Sequence, residues 1–320
     1  MNERTQIAAK LTGSHIFLIL AMLVISFFIK TQVLLYLAVT QTTLLILFLA
    51  GYWEFFGLRF KMIFCGIIEL MIWVAFFRKL FYAAPETSNL FLCLIFTITG
   101  IFLGWILVKI LMVINSKDRS AVELNFPFRE GSYLVTDGGN SRISRFMNYH
   151  FYSRVHKKKK TNLSMLFAVD IVKLEKGKPG FLPLKNDSYP VFGEKVYSPM
   201  EGVVVKSENN IPDNEPFSGN YPYNTGNTVV IRQGNMYLLL GHLMQGSIVV
   251  KEGDQVHARE PIGAAGNSGW TERPHLHMQL IKSDSENYWF GEGISILYKK
   301  RNLYKNRLIK MPFIDEPRKS

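Results

Sequence analysis

The first third of the chain is nearly free of charge, and that limits what it can become. Residues 1–114 hold eight Lys or Arg and four Asp or Glu, against 37 and 25 in the whole 320-residue chain. Four apolar segments fill the stretch, at 11–29, 31–53, 62–77 and 90–108. Crossing a bilayer as a helix takes about 20 apolar residues, and a helix satisfies every backbone polar group from within. The first, second and fourth segments are long enough. The third is short and is interrupted by Glu69. The expectation is an N-terminal α-helical membrane region of three or four spans. No small-x-small site follows Ile29 and more apolar segments come at once, so a cleaved signal peptide fits poorly.

Charge and apolar length pull the topology in different directions. With four spans and the rest of the chain outside, Arg4, Lys10, Arg59 and Lys61 also fall outside, against the positive-inside bias. With three spans and 62–77 re-entrant or interfacial, those residues join Arg78 and Lys79 inside. Glu69 is expected to face another helix or a headgroup, paired with a lysine, because an unpaired charge in hydrocarbon is costly.

From residue 115 the chain turns polar and basic, with 29 Lys or Arg and 21 Asp or Glu. Residues 115–130 read as a charged linker, 131–297 as one domain and 298–320 as a basic tail. The domain is long enough to bury its own core. Cys65 and Cys93 both lie in the apolar part, so no disulfide framework holds the domain together. Its pattern is mostly β: short β-rich runs at 131–137, 166–172, 202–205, 228–231 and 236–240, separated by tight turns such as Gly234-Asn235. That rhythm argues for an antiparallel sheet in a sandwich or barrel-like arrangement. A long loop at 209–227, with three Pro and two Gly, interrupts it; loops of that length in compact domains are often functional. No G-x-G-x-x-G or P-loop is present to cradle a phosphate.

Two features carry chemistry. His275-Leu276-His277 follows Pro274 and opens an apolar run, as a strand would. In a strand, i and i+2 share a face, so the two imidazoles stand side by side. Such a pair suits a metal, for which neutral imidazole is the commonest ligand, and equally a pair of satisfied core histidines. Asp170 sits in the middle of Leu166–Val172, where a carboxylate is costly to bury unless paired or metal-bound.

The ordered series Ala168-Val169-Asp170, Ser198-Pro199 before Glu201-Gly202-Val203-Val204, Gly226-Asn227-Thr228-Val229-Val230-Ile231 before Gly241-His242-Leu243, Gly266-Asn267-Ser268-Gly269 and Pro274-His275-Leu276-His277 resembles the lysostaphin-type (LytM-like) zinc metallopeptidases that cleave peptidoglycan. The resemblance covers roughly residues 130–297. It implies a mostly-β domain with a LytM-like antiparallel sheet, related to the lipoyl-type barrel-sandwich hybrid. It implies Zn²⁺ held by Asp170, His277 and a further His, with His242 and His275 flanking the reacting water as catalytic residues. The family places that further His four residues before the Asp, where this chain has Leu166. The replacement comes from upstream, from His150 or His156. His150 follows a turn and the apolar Phe146-Met147, whereas His156 abuts Lys157–Lys160, so His150 is preferred.

The implied activity is a membrane-anchored zinc endopeptidase acting on peptidoglycan peptides from the outer face of the cytoplasmic membrane. The alternative is a non-catalytic domain of the same fold that binds cell wall or regulates other wall hydrolases. A biotin- or lipoyl-type carrier is set aside, since the 199–202 hairpin has no acceptor lysine. The net charge of +12 suits an anionic wall polymer or membrane lipid headgroups, and also a plain solvated surface. Nothing resembles a nucleic-acid module.

Overall fold

The computed structural model describes residues 33–51, 57–82, 90–153, 161–174, 183–219, 221–222 and 224–312. The chain divides into two compact units, Asn2–Met112 and Val113–Ser320.

The first unit is helical: α1 (Val33–Ala50), α2 (Gly57–Tyr82) and α3 (Leu90–Ile114). The predicted apolar segment at 11–29 lies outside the described residues. Among those described, one helix, Leu94–Ile114, is long and apolar enough to cross a membrane, and Leu37–Ala50 is a shorter apolar helix. The multi-span expectation is thus matched by one such helix. The 62–77 segment lies inside α2, one unbroken helix of 26 residues. Glu69 faces another helix, as expected, and among the described residues its partners are an amide and an indole rather than a lysine. Its Oε1 accepts from Gln41 Nε2 of α1 at 2.9 Å and from Trp73 Nε1, one turn on, at 2.6 Å. Polar hydroxyls in α1 are satisfied locally, Thr42 and Thr43 each donating to the carbonyl four residues back.

The second unit is built from strands. In chain order they are β1 (Val122–Glu123), β2 (Gly131–Asp137), β3 (Val169–Leu174), β4 (Lys195–Tyr197), β5 (Gly202–Glu208), β6 (Asn227–Gln233), β7 (Met236–Leu243), β8 (Gln255–Val256), β9 (Pro261–Ala264), β10 (Leu276–Lys282), β11 (Glu292–Ile294), β12 (Ile296–Tyr298), β13 (Arg301–Asn302) and β14 (Leu308–Met311). Nine of them form an antiparallel sheet in the order β14-β2-β3-β10-β7-β6-β5-β8, with β11 also on β10; β4-β9 and β1-β12-β13 form two small sheets.

Alternation gives the large sheet two different faces. Val169 and Ile171 of β3, Leu238 and Leu240 of β7, and Leu276, Met278 and Leu280 of β10 point into the main core, with Val196 and Ile262 of the β4-β9 pair packed there too. The opposite face carries a smaller cluster of Val230, Tyr237, Leu239, Ile281 and Tyr288. Asp170 and His277 have the parity of this second face.

Two boundaries differ from the sequence reading. The stretch at 115–130 is no mere linker, because Leu124, Phe126 and Phe128 are all buried in the main core. Their spacing of two is a strand's, and burying each phenyl ring contributes about 1.5–3 kcal/mol, enough to draw the segment in despite its charged neighbours. The basic tail likewise supplies β13 and β14 through residue 311, with Leu303 and Ile309 buried.

Candidate metal centre

Strand register creates the centre of the site. In the β3-β10 ladder, Asp170 stands directly opposite His277, and in the β10-β7 ladder His277 stands opposite Gly241. His277 Nδ1 lies 2.9 Å from Asp170 Oδ1. His275, two residues earlier on the same face, brings its Nε2 to 3.5 Å from the same oxygen.

His150 reaches this point from outside the sheet, on a single 3-10 turn, Tyr149–Tyr152. Asp137, at the end of β2, accepts the Tyr149 N–H at 2.7 Å. Asn148 does the rest. Its Nδ2 donates to the carbonyls of Gly139, Leu166 and Ala168, which fixes the orientation of the amide. Its Oδ1 then accepts from the His150 N–H and faces His150 Nδ1 at 2.9 Å. His150 Nε2 is left 3.4 Å from Asp170 Oδ1.

His242 arrives by a bulge. Between Asn227 and Val229 β6 advances two residues, while β7 advances three, from Leu240 to Leu243. A bulge of this kind re-aims a side chain. Leu240 and Leu243 both stay in the main core, and His242, at φ +59°, turns to the other face. Such a backbone costs about 1–3 kcal/mol for a non-glycine residue. It is offset by the His242 N–H bond to Thr225 O at 2.9 Å and the Nδ1 contact to Ser268 O at 2.8 Å. Gly226 and Gly269 permit this closeness: both have positive φ, and a Cβ on Gly226 would stand 2.2 Å from Ser268 O, while one on Gly269 would stand 2.2 Å from Gly226 N.

All four site imidazoles have an acceptor oxygen on the nitrogen that faces away from the centre. These are Asn148 Oδ1 for His150, Gln279 Oε1 for His277 (3.0 Å), Ser268 O for His242 and Arg273 O for His275 (3.0 Å). An oxygen that only accepts selects N–H on the outer nitrogen and leaves the inner one a lone pair. His277 therefore presents a lone pair to a carboxylate oxygen at 2.9 Å, an arrangement that calls for a cation between them. His150, Asp170 and His277 are all buried and offer three ligand atoms within 4.8 Å of one another. The buried His275 Nε2 makes no hydrogen bond.

Electrostatics favour the ligand-competent forms. Burial alone would push the Asp170 carboxyl up, but His150 and His275 outweigh it and hold it well below the usual carboxylate range. Burial lowers His150 below the ordinary imidazole value, against the pull of Asp170. Burial and then the neighbouring His275 and His277 rings lower His242 well below it. At neutral pH His150 and His242 are uncharged and Asp170 is ionised.

The structure thus gathers Asp170, His275, His277, His242 and His150 at one end of the sheet; His156 lies outside the described residues. The sequence reading overlooked Gln279, Ser268 and Thr271, whose Oγ1 is 3.2 Å from His275 Nδ1. Gln279 was accessible to the same i, i+2 argument that pairs His275 with His277.

Residues 188–288 match the family model described as Peptidase family M23. That span contains His242, His275 and His277 and stops short of Asp170 and His150. The peptidoglycan DD-endopeptidase ShyA of Vibrio cholerae is 39% identical over 89 residues, which are 28% of this chain and 18% of that protein. The chain thus spans under a fifth of that relative's length. Among solved structures, lysostaphin from Staphylococcus simulans shares 18% identity over 46% of each chain at a TM-score of 0.29. A zinc-containing peptidase from Vibrio cholerae shares 18% over 60% of this chain and 41% of its own, at 0.30. Family M23 peptidases are zinc metallopeptidases, and two imidazoles with one carboxylate are a donor set that zinc takes in catalytic sites. Over residues 188–288 the chain is thus similar to Peptidase family M23, and the donor set of His150, Asp170 and His277 fits that family's zinc as the cofactor.

Proposed function

We propose that this chain is a membrane-anchored zinc metalloendopeptidase that hydrolyses peptide bonds in bacterial peptidoglycan. The observation that carries the reading is the convergence of His150, Asp170 and His277 beside two further imidazoles, His242 and His275, whose inner nitrogens face the same point. The similarity to ShyA, a peptidoglycan DD-endopeptidase, supports peptidoglycan as the substrate class.

Zinc held by His150 Nε2, Asp170 and His277 Nδ1 would supply Lewis-acid polarisation and a water of pKa about 7. The protein's own part is proton handling. His242 and His275 have ring centroids 4.9 Å apart, and the buried His275 Nε2 has no hydrogen-bond partner among the described residues. One Nε2 accepts the proton of the attacking water and returns it to the leaving amine. The other donates to the oxyanion as it develops. The Ser268 and Arg273 carbonyls stabilise each ring when it is cationic.

The full chain, loaded with zinc, is expected to release new amino termini from purified wall material, and a chelator should abolish the release. Absence of cleavage across walls of several cross-bridge types would favour the wall-binding or regulatory reading.

The domain's place outside the cytoplasmic membrane follows from that substrate. Anchoring is supported by the apolar outward surfaces of α2 and α3, where Ile63, Leu70 and Val74, and Ile98, Ile101 and Trp105, are all exposed, a larger apolar area than water tolerates on a monomer. A single cysteine at the exposed position of Lys117, in a chain lacking Cys65 and Cys93, should react with an impermeant thiol reagent in intact cells, or in spheroplasts where an outer membrane exists. Reaction only after lysis would place the domain inside.

A further inference from the structure

The long loop at 209–226 crosses to the turn that carries the outer acceptors of both free imidazoles. Asn214 makes the crossing. Its side-chain Nδ2 donates to Asn267 O at 2.8 Å and Gly269 O at 2.7 Å, and lies 3.3 Å from Thr271 O. Its backbone N–H donates to Asn267 O, and its backbone carbonyl accepts from Asn186 Nδ2 at 2.8 Å and Asn267 Nδ2 at 3.0 Å. Asp213 beside it accepts the Asn267 N–H at 2.6 Å. The three carbonyls gripped by the Asn214 amide alternate with the groups that hold the catalytic rings. Ser268 O, between Asn267 and Gly269, holds His242 Nδ1. Thr271 Oγ1 accepts no ring proton unaided: it also bonds Asn267 Oδ1 and Arg273 O, and so sits between the turn and His275 Nδ1.

We propose that Asn214 is a positioning residue for His242 and His275: from the long loop, it sets the 266–273 turn so that both rings hold their Nε2 atoms toward the reacting centre. It touches neither ring and no metal ligand. A turn of this length, with glycines at 266 and 269, has no regular ladder of its own to fix it, and one amide bonded to alternate carbonyls supplies what a neighbouring strand otherwise would. The assignment rests on the peptidase reading above.

The test compares two anchors of the same loop. Asn209 ties the loop's start to Ile248 with two bonds of comparable length, 3.2 and 3.1 Å, away from the histidines. Asn214→Asp keeps the shape and the backbone bonds but sets a carboxylate against carbonyls; Asn214→Ala removes the amide outright. In the zinc-loaded full chain, each Asn214 variant that remains folded by its melting curve should lose roughly 10–100-fold in kcat, the usual size of an orienting contact. KM should move less than about twofold, and the zinc content should stay at the wild-type level. Asn209→Ala should lower the melting temperature and leave kcat within about twofold. Unchanged kcat in both Asn214 variants, loss of zinc with loss of kcat, or an equal kcat loss in Asn209→Ala would overturn the proposal. Should the wild type cleave nothing, the peptidase reading fails by itself, and ¹⁵N-histidine spectra of the full chain decide this one: the Nδ1–H protons of His242 and His275 should exchange with solvent faster in the Asn214 variants. Equal exchange rates in wild type and variants would overturn it.

Discussion

Asp170→Asn is expected to yield a folded chain that takes up no zinc and cleaves nothing. Three imidazoles approach Asp170 Oδ1, His277 at 2.9 Å, His150 at 3.4 Å and His275 at 3.5 Å. The amide removes the charge that compensates a divalent cation there and leaves two neutral rings, too few for a catalytic zinc. Fold should persist, because Val169 and Ile171 on either side stay in the main core. His150→Ala should go the same way: loss of a merely orienting contact costs about 10–100-fold in metal affinity, and a direct ligand exceeds that. His156→Ala should bind zinc as the wild type does. Metal analysis after dialysis against a graded chelator reads all three variants. Tight zinc in His150→Ala and weak zinc in His156→Ala would exchange the two assignments.

His275→Ala and His242→Ala should give the opposite pattern, full zinc and turnover lower by roughly 10²–10⁴-fold each, the size of a general acid–base contribution. Neither ring belongs to the His150, Asp170, His277 group, yet both stand beside it, His275 Nε2 at 3.5 Å from Asp170 Oδ1 and the His242 ring centroid at 5.6 Å from that of His277. Because the rings act as a unit, the double variant should lose little more than the worse of the two single ones. A full product of the two losses would mean that the rings serve separate steps. Wild-type turnover in both single variants would remove the pair from the chemistry.

What could be read from the chain beforehand follows from the range of each interaction. The strands were legible because a period of two is a local property, and so was the side-by-side placement of His275 and His277. Asp170 stood out because a carboxylate in an apolar run needs a partner. The approach of His150 was harder to see, since it depends on one asparagine side chain binding carbonyls up to 20 residues further on. The bulge that turns His242 is a difference of one residue between the two strands of one ladder, which neither strand reveals alone. Asn214 was invisible: it bonds to backbone, and backbone is the same at every position. The charged stretch before residue 130 misled for the opposite reason, its composition masking the Leu124, Phe126, Phe128 alternation that places it in the core.

The pairing of Asp170 with His277, 107 positions later, bears on how the chain reaches its working form. A slip of one residue between β3 and β10 would move His275 and His277 together to the opposite side of the sheet, since their spacing of two makes them turn as one. The same slip would turn Leu276, Met278 and Leu280 out of the main core, so the apolar pattern and the three ligands demand one and the same register. Metal capture can only follow correct strand assembly, and once it occurs it resists the slip. Bound zinc per chain is then a count of correctly registered molecules.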